Sequence, residues 1–296
     1  GSEMCIRDRD YLVCDYLSEV TMSILSRAKL KSSEHGYAKD FINHVGPLLK
    51  TIKQNKIKVI SNAGGVNLDA CKKALSNKAK KENINLKIIT VEGDDLSGIQ
   101  KDLQKMSIKE IDSGKSLPEN LLSINAYLGA SGIKRALDQG ADIVITGRCV
   151  DSALALGPLM YEFNWKENEY DLLASGSLAG HIIECGAQST GGNFTDWEII
   201  DNFEDIGFPI VEVEENGEFI VTKPEGTGGI VNFGTIAEQL LYEIGDPGAY
   251  ILPDVICDFT NVNINNLGND VVHVSGAKGY PATTVSYTHL TLPTKA

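Results

Sequence analysis

The sequence predicts an α/β fold, with a mostly parallel sheet, helices on both of its faces, and an antiparallel hairpin region in the C-terminal half. Short apolar runs alternate with helical segments through the first half of the chain. Each run ends at a polar or glycine-rich turn, which is typical of successive β-then-α units in a parallel sheet. After residue 164, apolar and polar residues alternate around Glu215-Asn216-Gly217, which indicates a hairpin.

The apolar runs predict the strands of the parallel sheet, which are Tyr11–Cys14, Ile57–Ile60, Leu86–Val91 and Ala141–Thr146. We expect the last run to be a central, fully buried strand, because it is strongly apolar and glycines flank it. Apolar spacing and capping residues predict helices over Ser18–Ala28, from Asn67, over Ile133–Gln139 and from Asp151. The polar segment Ser97–Glu119 is predicted to be a helix and loop insertion.

Further elements are predicted in the C-terminal half. The helices are expected over Leu172–Cys185 and Thr235–Ile244. The hairpin strands are expected over Phe208–Val213 and Glu218–Thr222, with two more strands over Asp254–Phe259 and Asp270–Ser275.

The two ends of the chain resemble translated sequencing-adaptor arms. Gly1–Arg9 reads GSEMCIRDR and Val285–Lys295 reads VSYTHLTLPTK. Residues 1–9 and 285–296 are therefore assigned to adaptor, as in a metagenomic fragment, and excluded from the fold. Residues 10–284 are then expected to form a single, truncated α/β domain.

The composition argues against several classes of protein. A net charge of −13 repels nucleic acid and anionic membranes, so neither is an expected partner. No apolar run reaches the roughly 20 residues that span a bilayer. The cysteines are widely spaced without a CxxC pair, which favours reduced thiols and a cytoplasmic location.

Polar residues follow directly after each predicted strand. They are Asp15, the loop Asn62-Ala63-Gly64-Gly65, the pair Asp94-Asp95, and Arg148 with Asp151. The carboxyl ends of parallel strands meet at one edge of a sheet, so we expect these residues to line one pocket for a small anionic substrate. Taken alone, each residue is more typical of a turn or a helix cap, and only the set together indicates a pocket.

Glycine-rich loops offer backbone donors for an anion. Gly64 and Gly65 lie between a strand and a helix, where N–H groups point outward. Thr190-Gly191-Gly192-Asn193 is a second candidate loop, and Gly226-Thr227-Gly228-Gly229, preceded by Lys223, is a third. None of them is a GxGxxG or P-loop motif, and tight turns are the alternative.

His181, Glu184 and Cys185 form the sharpest local cluster in the sequence. Their spacing places them on one face of a helix, as an acid–base pair beside a thiol or as metal ligands. The segment is not HExxH, and a structural ion pair is the alternative. The adjacent carboxylates of Asp94 and Asp95 leave a divalent cation open as a ligand. The metal and any cofactor stay unassigned.

Longer strings resemble the acyclic terpene utilisation family. Among them are SNAGGVNLDAC, VEGDDL, AYLGASGIKRALDQGADIVITGRCVDSAL, SGSLAGHIIECGAQSTGGNF, TKPEGTGG and TIAEQLLYEIGDPGAYILPDV. They stand in the family's order and cover nearly the whole of residues 10–284. The resemblance implies a bacterial cytoplasmic protein of citronellol- or geraniol-like catabolism, which passes through CoA thioesters. It supplies no catalytic residue.

Two hypotheses follow for the function. The first is an enzyme that transfers a proton, adds water or cleaves a carbon–carbon bond next to the carbonyl of a branched acyl-CoA or carboxylate. CoA is then part of the substrate, His181, Glu184, Cys185 and Asp151 are the catalytic candidates, and Arg148 binds a carboxylate. The second is a non-catalytic subunit or assembly partner of the same pathway, or a homo-oligomer. A nicotinamide oxidoreductase is a weaker third reading, because no GxGxxG follows a strand.

Overall fold

A parallel four-stranded sheet forms the first layer of the fold. The computed structural model describes residues 9–110 and 112–282, so 1–8 and 285–296 of the assigned adaptor lie outside the described residues. The strands are β1 (Tyr11–Cys14), β2 (Lys58–Ser61), β3 (Ile88–Val91) and β4 (Ile143–Thr146). Their order is β1-β2-β4-β3, and all neighbours are parallel.

Helices cover both faces of this sheet. The α-helices of the described residues are α1 (Glu19–Lys31), α2 (Lys39–Val45), α3 (Leu49–Asn55), α4 (Leu68–Lys81), α5 (Gln100–Lys105), α6 (Ser131–Asp138), α7 (Ala153–Glu162), α8 (Tyr170–Glu184) and α9 (Phe233–Leu241). Of these, α4, α6 and α7 contact the strands of the parallel sheet directly. Alternate residues of β4 explain the two layers, because successive side chains of a strand point to opposite faces. Ile143 and Ile145 pack in the core of α2, α3 and α4, whereas Val144 packs in the core of α6, α7 and α8.

Strand β4 is fully buried, as its composition predicts. All of its residues are buried, and it pairs with β2 on one side and with β3 on the other. The predicted α/β class, with a parallel sheet and helices on both faces, is confirmed. Within the described residues, no helix combines the length and apolar character needed to cross a membrane.

Two antiparallel sheets form the C-terminal half. The first contains β5 (Ile210–Val213), β6 (Phe219–Thr222), β9 (Asn263–Gly268) and β10 (Val271–Ser275), in the order β5-β6-β10-β9. The second contains β7 (Tyr250–Ile251), β8 (Ile256–Asp258) and β11 (Lys278–Tyr280), in the order β11-β8-β7. The predicted hairpin is β5-β6, whose residues Val213 and Phe219 are paired.

The strand register sets the position of the candidate site. Cys14 pairs with Ser61, Ser61 pairs with Ile145, and Val91 pairs with Thr146. The strands therefore end nearly level, and the residues that follow them emerge at one edge of the sheet. We call this edge, where the chain leaves each strand, the carboxyl edge.

Candidate functional site

Asp15 and Asn62 tie the ends of β1 and β2 together. The amide nitrogen of Asn62 donates to Asp15 Oδ1 at 2.5 Å, and the amide oxygen of Asn62 accepts the backbone N–H of Tyr16 at 2.7 Å. Asp15 Oδ1 also accepts the N–H of Leu17 at 3.1 Å. Asn62 is completely buried, so it fixes the orientation of the Asp15 carboxyl group.

Asp94 supports the turn that carries Arg148. Its Oδ2 accepts the backbone N–H of Arg148 at 2.8 Å and the side-chain amide of Asn125 at 2.9 Å. The carboxylate reaches this turn because residue 147 is glycine, where a Cβ would lie 2.4 Å from Asp94 Oδ2. Asp94 is buried and lies behind Arg148, so its contacts position that residue.

The Nη atoms of Arg148 make four hydrogen bonds to neighbouring groups. Nη1 donates to the carbonyl of Leu17 at 2.7 Å and to Asp151 Oδ1 at 3.0 Å. Nη2 donates to the hydroxyl of Tyr127 at 3.0 Å and to Glu19 Oε1 at 3.3 Å. The guanidinium also lies over the Tyr127 ring, 4.3 Å from its centroid. Arg148 is therefore a nearly buried cation between two carboxylates.

Asp151 and Asp15 are carboxyl groups with raised pKa. Burial, and then the negative charge of Asp15, raise the pKa of Asp151 to about 7, although Arg148 opposes the shift. Burial also raises the pKa of Asp15, against the hydrogen bond from Asn62. A carboxyl group that titrates near neutral pH is suited to general acid–base catalysis.

His181 and Glu184 form a buried pair on the last turn of α8. His181 Nδ1 and Glu184 Oε1 are 2.7 Å apart, and the two side chains are 2% and 10% exposed. Burial opposes the imidazolium, but Glu184 and the carbonyls of Gln239 and Leu240 outweigh it and raise the pKa of His181. Burial raises the pKa of Glu184 against the effect of His181. Each group of the pair therefore stabilises the charged form of the other.

The pair on α8 lies near enough to the acidic residues of the carboxyl edge for their charges to interact. The charge of Glu184 contributes to the raised pKa of Asp151, and the charge of Asp15 contributes to that of Glu184. Tyr250 lies beside them, with its ring centroid 6.3 Å from that of His181, and burial followed by the charges of Glu184 and Asp151 raises its pKa. These residues come from the segment after β1, from α8, from the turn after β4, and from β7.

Cys185 lies next to this pair but holds a firmly bound proton. Burial raises the pKa of its thiol to about 11, and the charge of Glu184 acts in the same direction. A thiolate is the reactive form of cysteine, so this environment does not favour a nucleophile at neutral pH. The described cysteines Cys14, Cys71, Cys149, Cys185 and Cys257 are free thiols.

The N–H groups of Gly64 and Gly65 are used within the protein. Gly64 donates to the carbonyl of Thr146 at 3.1 Å, and Gly65 donates to the carbonyl of Asn62 at 3.2 Å. A Cβ at position 64 would lie 2.6 Å from the carbonyl oxygen of Thr146, so glycine permits the close approach of this loop to β4.

The other glycine loops also serve as turns. Gly191 and Gly192 donate to the carbonyls of Gln188 and Ala187, and Asn193 is exposed. The hydroxyl of Thr190 is buried and donates to the carbonyl of Gly207 at 2.6 Å. In the third loop, Lys223 Nζ donates to the carbonyl of Thr227 at 2.8 Å and lies 3.2 Å from Asp270 Oδ2. These contacts hold the loops of the C-terminal half in place.

Asp95 lies on the surface and makes no hydrogen bond to Arg148 or to the turn that Asp94 supports. Asp95 is exposed, and its Oδ1 accepts the N–H of Ser97 at 2.9 Å as a cap of the turn that precedes α5. In residues 9–110 and 112–282, no group of three or more histidine, cysteine, aspartate or glutamate side chains is arranged to hold a metal ion.

Comparison with protein families gives a match over nearly the whole chain. The family model of the acyclic terpene utilisation family protein AtuA matches residues 3–293. The chain belongs to the acyclic terpene utilisation family. No curated protein and no solved structure matches it. Family membership links the chain to the utilisation of acyclic terpenes and leaves its reaction to be argued from the site.

Three residues near this site have no clear signal in the sequence. Glu19 reads as an ordinary acidic residue in the first turn of a helix, where it interacts favourably with the helix dipole. Tyr127 lies in an irregular segment and Tyr250 in a strand of two residues, so neither belongs to a periodic pattern. Tertiary structure alone brings them to Arg148 and His181.

Proposed function

We propose that this chain is an enzyme of acyclic terpene breakdown, which moves a proton next to the carbonyl group of a branched acyl-CoA or the corresponding acid. The observation that supports this proposal is the close packing of α8, which carries His181 and Glu184, against Ser152, the residue after Asp151 at the carboxyl edge. Such edges are where ligands bind in open parallel sheets. Hydration, isomerisation and carbon–carbon cleavage share this proton transfer.

Glu184 is the member of the buried pair that meets the substrate. Its side chain is the more exposed of the two, and its charge reaches Asp151. His181 lies behind it and holds the carboxylate through Nδ1 at 2.7 Å, so His181 acts as the positioning residue. A carboxylate oriented by a histidine is well placed to abstract a proton activated by a neighbouring carbonyl.

Asp151 supplies the complementary acid. Its pKa of about 7 means that a large part of the population carries a proton at neutral pH, and its contact with Arg148 Nη1 fixes its position. Two carboxyl groups with different environments divide the roles of base and acid. In this arrangement Glu184 takes the proton and Asp151 returns one to the developing enolate oxygen or leaving group.

Replacing Glu184 with glutamine tests the proposal. The change keeps the shape of the side chain but removes its proton chemistry, so turnover of a panel of branched acyl-CoA thioesters and acids, followed by mass spectrometry, should fall by at least about a hundredfold. The melting temperature should change little. Glu198→Gln, which alters an exposed glutamate elsewhere, is the matched control.

Two results would contradict the proposal. Absence of both turnover and binding across the whole panel would leave the chain without a substrate of this class. A Glu184→Gln variant with unchanged turnover, or with a loss explained by a lower folded fraction, would make the pair structural. A stable stoichiometric complex whose activity survives this change would favour the non-catalytic subunit.

A further inference from the structure

We propose that Arg148 Nη2 and the Tyr127 hydroxyl form a binding subsite for the free carboxylate of a small acid, and that Glu19 occupies this subsite in the absence of the acid. The inference rests on the proposed function, because it names the group by which the substrate or product is held. Glu19 and Tyr127 are thereby added to the site, and the class of ligand assigned to the subsite is a small free carboxylic acid.

The contacts of Glu19 are those expected of a bound carboxylate. A single oxygen, Oε1, accepts a hydrogen bond from the Tyr127 hydroxyl and a second from Arg148 Nη2 at 3.3 Å. The hydrogen bond from Tyr127, followed by that from its own backbone N–H and by the charge of Arg148, lowers the pKa of Glu19, so the group is ionised at neutral pH. Charge-assisted bonds of this kind are stronger than neutral ones.

Glu19 is the exchangeable partner of Arg148. Its side chain is 78% exposed, whereas that of Arg148 is 6% exposed. The other acceptors are fixed within the fold, since Leu17 contributes a backbone carbonyl and Asp151 lies 3.0 Å away on the next turn of the chain. Glu19 can move into solvent at small cost because its own side chain is exposed, and a ligand carboxylate then takes its place on the buried guanidinium.

The shape and charge of the surroundings favour a monocarboxylate over a phosphate. The Tyr127 ring covers one face of the guanidinium at 4.3 Å, so an anion that binds Nη2 approaches the edge of the group, where Glu19 Oε1 now lies. Asp151 lies 3.0 Å from Nη1, and the charges of Asp15 and Glu184 act on it, so these negative surroundings oppose a dianion more strongly than a monoanion. The subsite is therefore assigned to a free acid rather than to the phosphates of CoA.

Calorimetric titration of the chain with 3-methylbutanoate at neutral pH tests the subsite. In Glu19→Gln the competing charge is gone, and the dissociation constant should fall about two- to fivefold. In Tyr127→Phe one donor is lost, and the constant should rise by about two- to tenfold. Neutral 3-methylbutanamide and inorganic phosphate are the comparison ligands. Their dissociation constants should not change in the same way in the Glu19→Gln and Tyr127→Phe variants.

Glu34→Gln is the matched control, because Glu34 is an exposed glutamate that pairs with Lys73 instead of Arg148. Its effect on 3-methylbutanoate binding measures the general loss of one negative charge. The subsite is overturned if Glu34→Gln tightens 3-methylbutanoate binding as much as Glu19→Gln does. It is also overturned if Glu19→Gln tightens the binding of the amide as much as that of the carboxylate. It is also overturned if Tyr127→Phe leaves carboxylate binding unchanged, or if Glu19→Ala fails to tighten it.

This binding experiment is independent of turnover. If Glu184→Gln keeps full activity but Glu19→Gln tightens carboxylate binding, the proton-transfer function fails and the subsite stands. If Glu184→Gln abolishes activity while the Glu19 and Tyr127 variants bind as the parent chain does, the function stands and the subsite fails.

Discussion

Gly180 of α8 lies directly against Ser152. A Cβ built on Gly180 would lie 2.6 Å from the carbonyl oxygen of Ser152 and 2.8 Å from its Cα. Gly180 precedes His181 and Ser152 follows Asp151 in the chain, so this contact joins the two halves of the candidate site. The absence of a side chain at position 180 sets the distance between them.

Gly180→Ala should separate the two halves of the site. The added methyl group meets backbone atoms that cannot rotate away, so α8 must shift, at a cost of about 1–3 kcal/mol in the free energy of unfolding. Turnover should fall further than the loss of folded protein explains. Chemical denaturation and turnover on the same samples measure both effects.

Gly245→Ala is the control for this change, because a Cβ at Gly245 has no neighbour within 4 Å. It should leave both quantities close to those of the parent chain. A Gly180→Ala variant that is as stable and as active as Gly245→Ala would show that the close approach of α8 does not position the site.

Asp151 should make the stability of the chain depend on pH. The pKa of Asp151 is about 7 in the folded chain, against an ordinary value of 3.8. Between these two pH values the folded chain therefore keeps a proton on Asp151 that the unfolded chain has lost. The free energy of unfolding therefore falls as the pH rises from about 4 to about 7. Asp151→Asn cannot ionise and should be the more stable at pH 8, by roughly 1–3 kcal/mol, with little difference at pH 4.

Denaturation curves of both proteins across this pH range check the prediction. Asp254, whose pKa burial raises to about 6, contributes a fall of the same sign that should remain in the variant. Asp138→Asn is the matched control, because Asp138 is exposed and pairs with Lys134 on the surface. A parallel pH dependence in the parent chain and in Asp151→Asn would contradict the assignment.

Ile143→Asp should prevent folding. Ile143 is fully buried in β4 and packs in the core of α2, α3 and α4, so an aspartate there would lack any partner for its charge. The cost is several kcal/mol, which is a large part of the stability of an ordinary domain. The soluble fraction after expression measures it, with the exposed Leu30→Asp as control. Normal solubility of Ile143→Asp would mean that β4 tolerates water.

The elements that sequence predicts best are those whose pattern is local. The apolar run Ala141–Thr146 corresponds to β4 at Ile143–Thr146, and the hairpin around Asn216-Gly217 corresponds to β5 and β6. Strand β9 (Asn263–Gly268), in contrast, is rich in asparagine and lacks the alternation of a half-buried strand, so the sequence does not predict it. In the structure most of its residues are exposed. It is a strand through its backbone pairing with β10, which composition does not reveal.

The spacing of His181 and Glu184 predicts their pairing, since residues three apart on a helix share a face. Sequence also predicts that Asp15, Asn62 and Arg148 emerge at the same edge, because they follow parallel strands. It does not predict that Glu19 and Tyr127 close over Arg148. Those contacts join residues more than 100 positions from one another or lie on an irregular segment, where no period relates them.

The sequence by itself determined the family, the α/β class, the buried central strand and the set of polar residues at the strand ends, because each depends on composition, local periodicity or motif order. The tertiary structure alone decided which of those residues lie near one another and which make hydrogen bonds that stabilise turns. Asp95, Lys223 and the glycine loops are used in turns, whereas the charges of Asp15 and Glu184 raise the pKa of Asp151, and that of Asp15 raises the pKa of Glu184. Burial and charge act through space, and the distances that set them arise only when helices pack on the sheet.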